Sequence, residues 1–184
     1  TEFGQGKWLR EENRGLEIEG KTIGIIGVGH TGKALATVLR PFQCRILACD
    51  CLDQTAYYHD NGLEAADHAQ VFRESDIISL HVPLNASTRY LVNQQTLGLM
   101  KPTAYLINTS RGEVVDTDAL TACIQANQIA GAAIDVYETE PYTGPLLADN
   151  TVIGTPHTAG NSTEAVLAMG QAAIDALDRF FKVA

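Results

Sequence analysis

Basic residues are scarce in this chain. Its 184 residues set 13 Lys and Arg against 22 Asp and Glu, a formal net charge of -9 at pH 7. Binding to a phosphate backbone draws on clustered cations, so this balance argues against a nucleic-acid partner. Long apolar runs are missing as well: nothing approaches the roughly 18 residues of a membrane span. The opening Thr1-Glu-Phe-Gly-Gln has neither the basic start nor the apolar stretch of a secretion signal. A cytoplasmic protein with no membrane partner is the expectation. Cysteine is sparse too, and Cys44, Cys49, Cys51 and Cys123 form no CxxC pair or His-linked zinc spacing. That pattern predicts buried, reduced thiols and no metal site.

What remains is a soluble composition, 45% hydrophobic and 19% charged, long enough for one ordinary domain with one core. Its most informative stretch is Gly27-Val-Gly29-His-Thr-Gly32, directly after the apolar run Ile23-Gly-Ile-Ile26. A strand that turns sharply into a helix is a seat for a diphosphate. Gly27 permits the turn, Gly29 lets backbone approach the pyrophosphate, and Gly32 lets helix and strand pack closely. The free N–H groups of the helix start then face the anion. Asp50 ends a second apolar run, Arg45-Ile-Leu-Ala-Cys49, where a carboxylate can accept hydrogen bonds from a ribose diol. No Arg or Lys lies in Cys51-Leu-Asp53 to neutralise a 2′-phosphate, so NAD is favoured over NADP.

Residues 1–20 read as an extended arm with a short helix around Trp8, whose ring wants burial, against another subunit for example. Strands are expected near 22–26, 45–49, 76–82, 104–108, 128–134 and 151–153. Helices are expected at 31–40, 64–74, 93–99 and 116–126. This alternation predicts a doubly wound parallel sheet of Rossmann type, α/β with helices on both faces, over residues 21–160. A last helix, 161–184, is expected to be capped by Asn161 with Glu164 reaching back.

Ligands of such sheets sit beyond the carboxyl ends of the strands. Pro83, Thr109, Ser110, Arg111, Asp135 and His157 all fall there, with Glu140 close behind. Singly, each is an ordinary polar loop residue. Together, the glycine turn, His81-Val-Pro-Leu84, Asn108-Thr-Ser-Arg-Gly-Glu-Val-Val-Asp116, Asp135-Val-Tyr-Glu-Thr-Glu-Pro141 and Pro156-His-Thr-Ala-Gly160 resemble, in order, the D-isomer-specific 2-hydroxyacid dehydrogenases. The resemblance covers nearly the whole chain. It implies hydride transfer between NAD(H) and a small 2-hydroxy or 2-keto acid.

Under that resemblance His157 is the acid–base group, since an imidazole can both take and give a proton. Glu140 is its partner, and Arg111 holds the substrate carboxylate or carbonyl oxygen. Asp135 contacts the nicotinamide carboxamide. Cofactor contacts are expected from Gly27, Gly29, His30, Thr31, Gly32, Asp50, Val82, Pro83, Thr88, Thr109, Ser110, Asp135 and Gly160. His59, His68 and His81 read as surface or packing histidines.

The sequence departs from the family in two places. His30-Thr31 stands where Arg-Ile is common, which weakens side-chain help to the pyrophosphate but not backbone donation. The substrate-binding lobe usual in the family is absent from this chain, so the expectation is cofactor binding with little or no turnover by this piece alone. The apolar face of the last helix is where that lobe is expected to dock. The arm Gly4-Gln-Gly-Lys-Trp8 resembles the family's dimerisation segment, which implies a homodimer. Glycerate, glyoxylate, lactate-like and phosphoglycerate substrates all stay open. So does a regulator that senses NAD(H) for assembly, in the manner of the C-terminal-binding-protein corepressors. A short-chain reductase is disfavoured because no Tyr-x-x-x-Lys occurs.

Overall fold

The computed structural model describes residues 3–11 and 14–182. Seven parallel strands form one sheet in the order β3-β2-β1-β4-β5-β6-β7. They are β1 (Thr22–Ile26), β2 (Arg45–Cys49), β3 (Glu64–Ala65), β4 (Ile77–Leu80), β5 (Tyr105–Asn108), β6 (Gly131–Ile134) and β7 (Val152–Gly154). Between them run α1 (His30–Leu39), α2 (Thr55–Asn61), α3 (His68–Glu74), α4 (Gln94–Leu97) and α5 (Thr117–Gln125), and α6 (Thr163–Lys182) follows β7. The strand order reverses between β1 and β4, and such a reversal opens a crevice at the carboxyl edge of the sheet.

Strand alternation sorts the core into two layers. Ile23 and Ile25 of β1 and Ile46 and Ala48 of β2 pack with Ala36 and Leu39 of α1 and Tyr58 of α2. Ile26, Leu47, Ile78, Leu80, Leu106 and Ile134 face the other way, toward Val71 and Phe72 of α3, Leu97 of α4 and Leu120 of α5. Helices therefore cover both faces, the doubly wound arrangement expected from the sequence. The face that α1 and α2 cover is barer at its β7 side, where Tyr105 and Ile153 are exposed.

Several local expectations are corrected. Residues 64–74 are not one helix: Glu64–Ala65 pair with β2, and α3 starts only at His68. Asp67 sets that start by accepting the Gln70 N–H at 2.7 Å. Helix α2 was not foreseen; it ends at Gly62, in the left-handed region at φ 68°. The strand expected at 128–134 begins at Gly131, after a turn with Asn127 left-handed. In the arm, the short helical turn lies at Phe3–Gln5 rather than around Trp8, and Trp8 is 78% exposed in the single chain. Ser162, not Asn161, caps α6, its Oγ accepting the Ala165 N–H at 3.1 Å. Among the cysteines, Cys49 and Cys123 are buried, Cys44 is partly so, and Cys51 is exposed. No helix among the described residues is long and apolar enough to cross a membrane.

Candidate functional site

The glycine turn is built from steric omissions. Gly27 stands at φ 92°, and a Cβ there would lie 2.7 Å from the His81 carbonyl. A Cβ on Gly32 would lie 2.1 Å from the Gly27 oxygen, so α1 packs on β1 only because it is missing. Around Gly29 nothing lies within 4 Å of that position, which leaves open space beside the backbone. Helix α1 starts there with no side-chain cap and no acid in its first turn. Its first bond from residue i to i−4 is Lys33 N–H to Gly29 O at 2.9 Å, so the amides before Lys33 lack helical carbonyls. His30 and Thr31 are exposed at this end. An open, donor-rich cradle of this kind fits a pyrophosphate.

Asp50 closes the cradle from β2. One carboxylate oxygen accepts the Val28 N–H at 2.6 Å and the other the Leu52 N–H at 2.8 Å. The carboxylate is thus fixed at the mouth of the turn, with lone pairs left for a diol. On the far side of β1, Val82 packs its Cγ1 toward Gly27. Pro83 accepts the Thr88 hydroxyl at 2.6 Å, so that hydroxyl is spent holding the 83–88 loop. His81, read as a packing residue, has its Nε2 2.9 Å from Ser79 Oγ, and burial pushes its pKa down.

The second half of the site lies after β5, β6 and β7. Asn108, fully buried, accepts the Ser110 N–H and hydroxyl on its Oδ1 and donates to the Arg111 carbonyl at 3.0 Å. This turn leaves Thr109 and the Arg111 side chain exposed and Ser110 buried. Among the described residues no carboxylate pairs with Arg111, whose Nη1 donates only to Ser110 O. Gly112 is a close approach: a Cβ would lie 2.0 Å from the Tyr137 carbonyl carbon.

His157 and Glu140 meet beyond the ends of β7 and β6. Nδ1 of His157 lies 2.9 Å from Glu140 Oε2 and 3.2 Å from Oε1. The imidazole and the Tyr137 N–H, which donates to Oε1 at 3.1 Å, hold the Glu140 carboxyl below the usual carboxylate range. His157 is itself left-handed at φ 56°, a conformation that must be imposed on a non-glycine residue. Asp135 imposes it. Its carbonyl accepts the His157 N–H at 2.8 Å, while its carboxylate accepts the Thr155 hydroxyl, the Thr158 N–H at 2.8 Å and the Ala159 N–H at 3.0 Å. Burial raises its pKa, but these donors outweigh burial and the net shift is downward. Gly160, next along, is exposed with open space around it.

Sequence reasoning left Asn108, Gly112 and Glu138 without roles. Each was inside a recognised motif, yet what each touches depends on which loops the sheet brings together. A cleft of about 430 Å³, walled by the stacked Tyr137 and Tyr142 rings and by Leu147, runs beside the Glu140–His157 pair. Among the described residues no cluster of His, Cys, Asp or Glu could hold a metal.

The sequence profile of the D-isomer specific 2-hydroxyacid dehydrogenase NAD binding domain matches residues 1–159. A glyoxylate reductase of Pyrococcus furiosus is 43% identical over 85% of this chain and 47% of its own length. A hydroxypyruvate reductase of Thermotoga maritima is 35% identical over 97% of this chain and 58% of its own. A D-isomer specific 2-hydroxyacid dehydrogenase of Lactobacillus delbrueckii ssp. bulgaricus, solved in its NAD complexed form, superposes with a TM-score of 0.84 at 32% identity. The match covers 96% of this chain and 57% of that one. The chain spans about half the length of the curated relatives it matches. A glycine cradle at the strand-order reversal, with Arg111 and a His157–Glu140 pair on neighbouring strand ends, thus agrees with the sequence match: the chain belongs to the D-isomer specific 2-hydroxyacid dehydrogenase family and carries its NAD-binding domain.

Proposed function

We propose that the protein bearing this chain is an NAD-dependent reductase of small 2-keto acids, or in reverse a dehydrogenase of D-2-hydroxy acids. The bonded His157–Glu140 pair carries the reading, because a carboxylate on Nδ1 fixes the ring and leaves Nε2 for proton transfer. Gly27, Gly29 and Gly32 with the α1 amides would seat the pyrophosphate. His30, Thr31, Val82, Pro83, Thr88, Thr109, Ser110 and Gly160 line or shape the same edge, and Asp50 would take the adenosine ribose. Three of the four lone-pair positions of Asp135 are filled, which leaves one on Oδ2 for the nicotinamide carboxamide. When bound, NADH supplies the hydride.

Arg111, which pairs with no carboxylate among the described residues, holds the carboxylate of the keto acid and presents its carbonyl carbon. His157 gives its Nε2 proton to the carbonyl oxygen as that oxygen gains charge, and Glu140 stabilises the imidazolium beforehand. Run backwards, the same nitrogen takes the hydroxyl proton. The names of two relatives, glyoxylate reductase and hydroxypyruvate reductase, support a small keto acid as the substrate of this protein. Four unbridged cysteines suit a reducing, cytoplasmic setting. Exposed Trp8 supports an arm, residues 1–20, that docks on a second copy to give a homodimer. The exposed apolar residues of α6, among them Leu167, Leu177 and Phe180, suit that helix to docking of the substrate lobe.

The test is an NADH-linked screen of 2-keto acids with the full-length protein and its His157→Ala variant. The expected result is reduction of glyoxylate or hydroxypyruvate, with turnover lowered about 10³-fold in the variant and NADH affinity unchanged. Turnover retained by the variant would remove His157 from the mechanism.

A further inference from the structure

Tyr137-Glu-Thr-Glu140 carries two carboxylates two residues apart, and the fold sends them to different partners. Glu140 goes to His157. Glu138 turns to two other loops, its Oε1 accepting the N–H of Thr117, the first residue of α5, at 2.9 Å and its Oε2 the Tyr90 hydroxyl at 2.9 Å. Its backbone takes part as well: a Cβ on Gly112, the residue after Arg111, would lie 2.5 Å from the Glu138 nitrogen. Glu138 therefore touches the loop after β4, the loop after β5 that bears Arg111, and α5, while lying two residues from Glu140.

Tyr90 is held in the same spirit. It is left-handed at φ 52°, uncommon for a bulky residue, and such conformations persist where the surroundings over-determine them. Its N–H donates to Glu113 O at 2.8 Å, its carbonyl accepts Asn93 Nδ2 at 2.9 Å, and its hydroxyl reaches Glu138. Arg89 sits 5.9 Å from the ring centroid and pairs with Glu113 at 3.7 Å. A purely structural explanation is that Glu138 serves the N-terminus of α5. That end already has an acceptor, since the Asp116 side chain caps it through the Ala119 N–H at 2.9 Å.

We infer that Glu138 is a positioning residue, braced by Tyr90, that keeps the Arg111 loop and the Glu140 loop in fixed relation so that both act on one substrate. The inference rests on the 2-keto acid reading above. Small misplacements of a substrate-orienting group are expensive, up to about 10² in rate for 1 Å. In the full-length protein, Glu138→Ala is expected to lower kcat/KM for the best 2-keto acid about 30-fold and to leave the NADH Kd within about twofold. Glu138→Gln should recover to within about threefold, because the amide oxygen still accepts from Thr117 and the amide N–H can donate to Tyr90.

Unchanged kcat/KM in Glu138→Ala overturns the inference, as does a Gln variant no better than Ala. Should Glu138→Ala not fold, Tyr90→Phe decides alone: a roughly threefold loss in kcat/KM at unchanged Tm supports the brace, and no loss overturns it. A wild-type protein inert toward every 2-keto acid sinks the reading of function instead. In that event, deuterium exchange at the Tyr137 and Val114 amides is the deciding measurement: faster exchange in Glu138→Gln/Tyr90→Phe upholds the linkage between loops, and unchanged exchange refutes it.

Discussion

Around β1 and β2 the site is made by leaving side chains out, whereas around β5, β6 and β7 it is made by side chains that tie one loop to the next. The first half offers backbone N–H groups in an open turn, shaped by Gly27, Gly29 and Gly32 and pinned by Asp50. The second half offers an arginine, a histidine and a carboxylate, each held by a neighbour's hydrogen bond. A cofactor common to many enzymes needs a generic cradle, and a backbone can supply it. Chemistry on one substrate needs charged groups at set distances, and only side chains supply those.

Two glycines test the division most sharply, because each meets backbone rather than a yielding side chain. Gly32→Ala would drive a methyl against the Gly27 oxygen and lift α1 from β1, so NADH affinity is expected to fall by about 10² with a loss of about 1–3 kcal/mol in stability. Gly112→Ala would drive a methyl against the Tyr137 carbonyl and shift Arg111. It should lower kcat/KM by about 10² while NADH affinity stays within about threefold. Fluorescence titration with NADH beside steady-state kinetics separates the two. Equal loss of cofactor binding in both variants would erase the distinction between the halves.

The same division explains what the sequence disclosed. A backbone requirement leaves its mark at fixed spacing, so the glycine turn and the place of Asp50 at the end of β2 could be read directly. Apolar runs gave the strands for a similar reason, since period and burial are local properties. Short elements were lost: α2, which ends at Gly62, was not foreseen, and β3 was absorbed into a supposed helix over 64–74 that starts only after Asp67. Motif order pointed to Arg111, Glu140 and His157, but nothing local distinguishes Glu138 from Glu140. Only the sheet order, which sets the loops after β4, β5 and β6 side by side, tells which carboxylate meets which donor.

Asp135 is a middle case, a residue of the second half that serves by organising backbone. Asp135→Asn keeps one acceptor oxygen and turns an N–H₂ toward donors, leaving at least one buried donor unmet. The expected loss is about 2 kcal/mol at neutral pH. The pH dependence has a definite sign. The folded carboxyl lies below its unfolded value, so its contribution is complete above the unfolded pKa of about 3.9 and is lost as pH falls through the folded one. Urea unfolding of both proteins should therefore show a gap that is constant from pH 7 to about pH 5 and narrows only below about pH 4. A gap already closed at pH 5 would mean that the carboxylate is not what holds the His157 loop.

The smallest expected effect concerns Asp50, where the first half departs from its own rule by using a side chain. Asp50→Ala removes the acceptor of the Val28 N–H and the carboxylate proposed to take the ribose diol, yet Gly27, Gly32 and the α1 amides remain. NAD affinity should fall about tenfold, near the 1.4 kcal/mol of one charge-assisted hydrogen bond. NADP should gain or hold, because the lost carboxylate is also what repels a 2′-phosphate. The informative quantity is thus the ratio of the two dissociation constants, which cancels general loosening of the turn. If NAD and NADP weaken by the same factor, Asp50 only braces the loop, and the preference for NAD must come from elsewhere along 51–53.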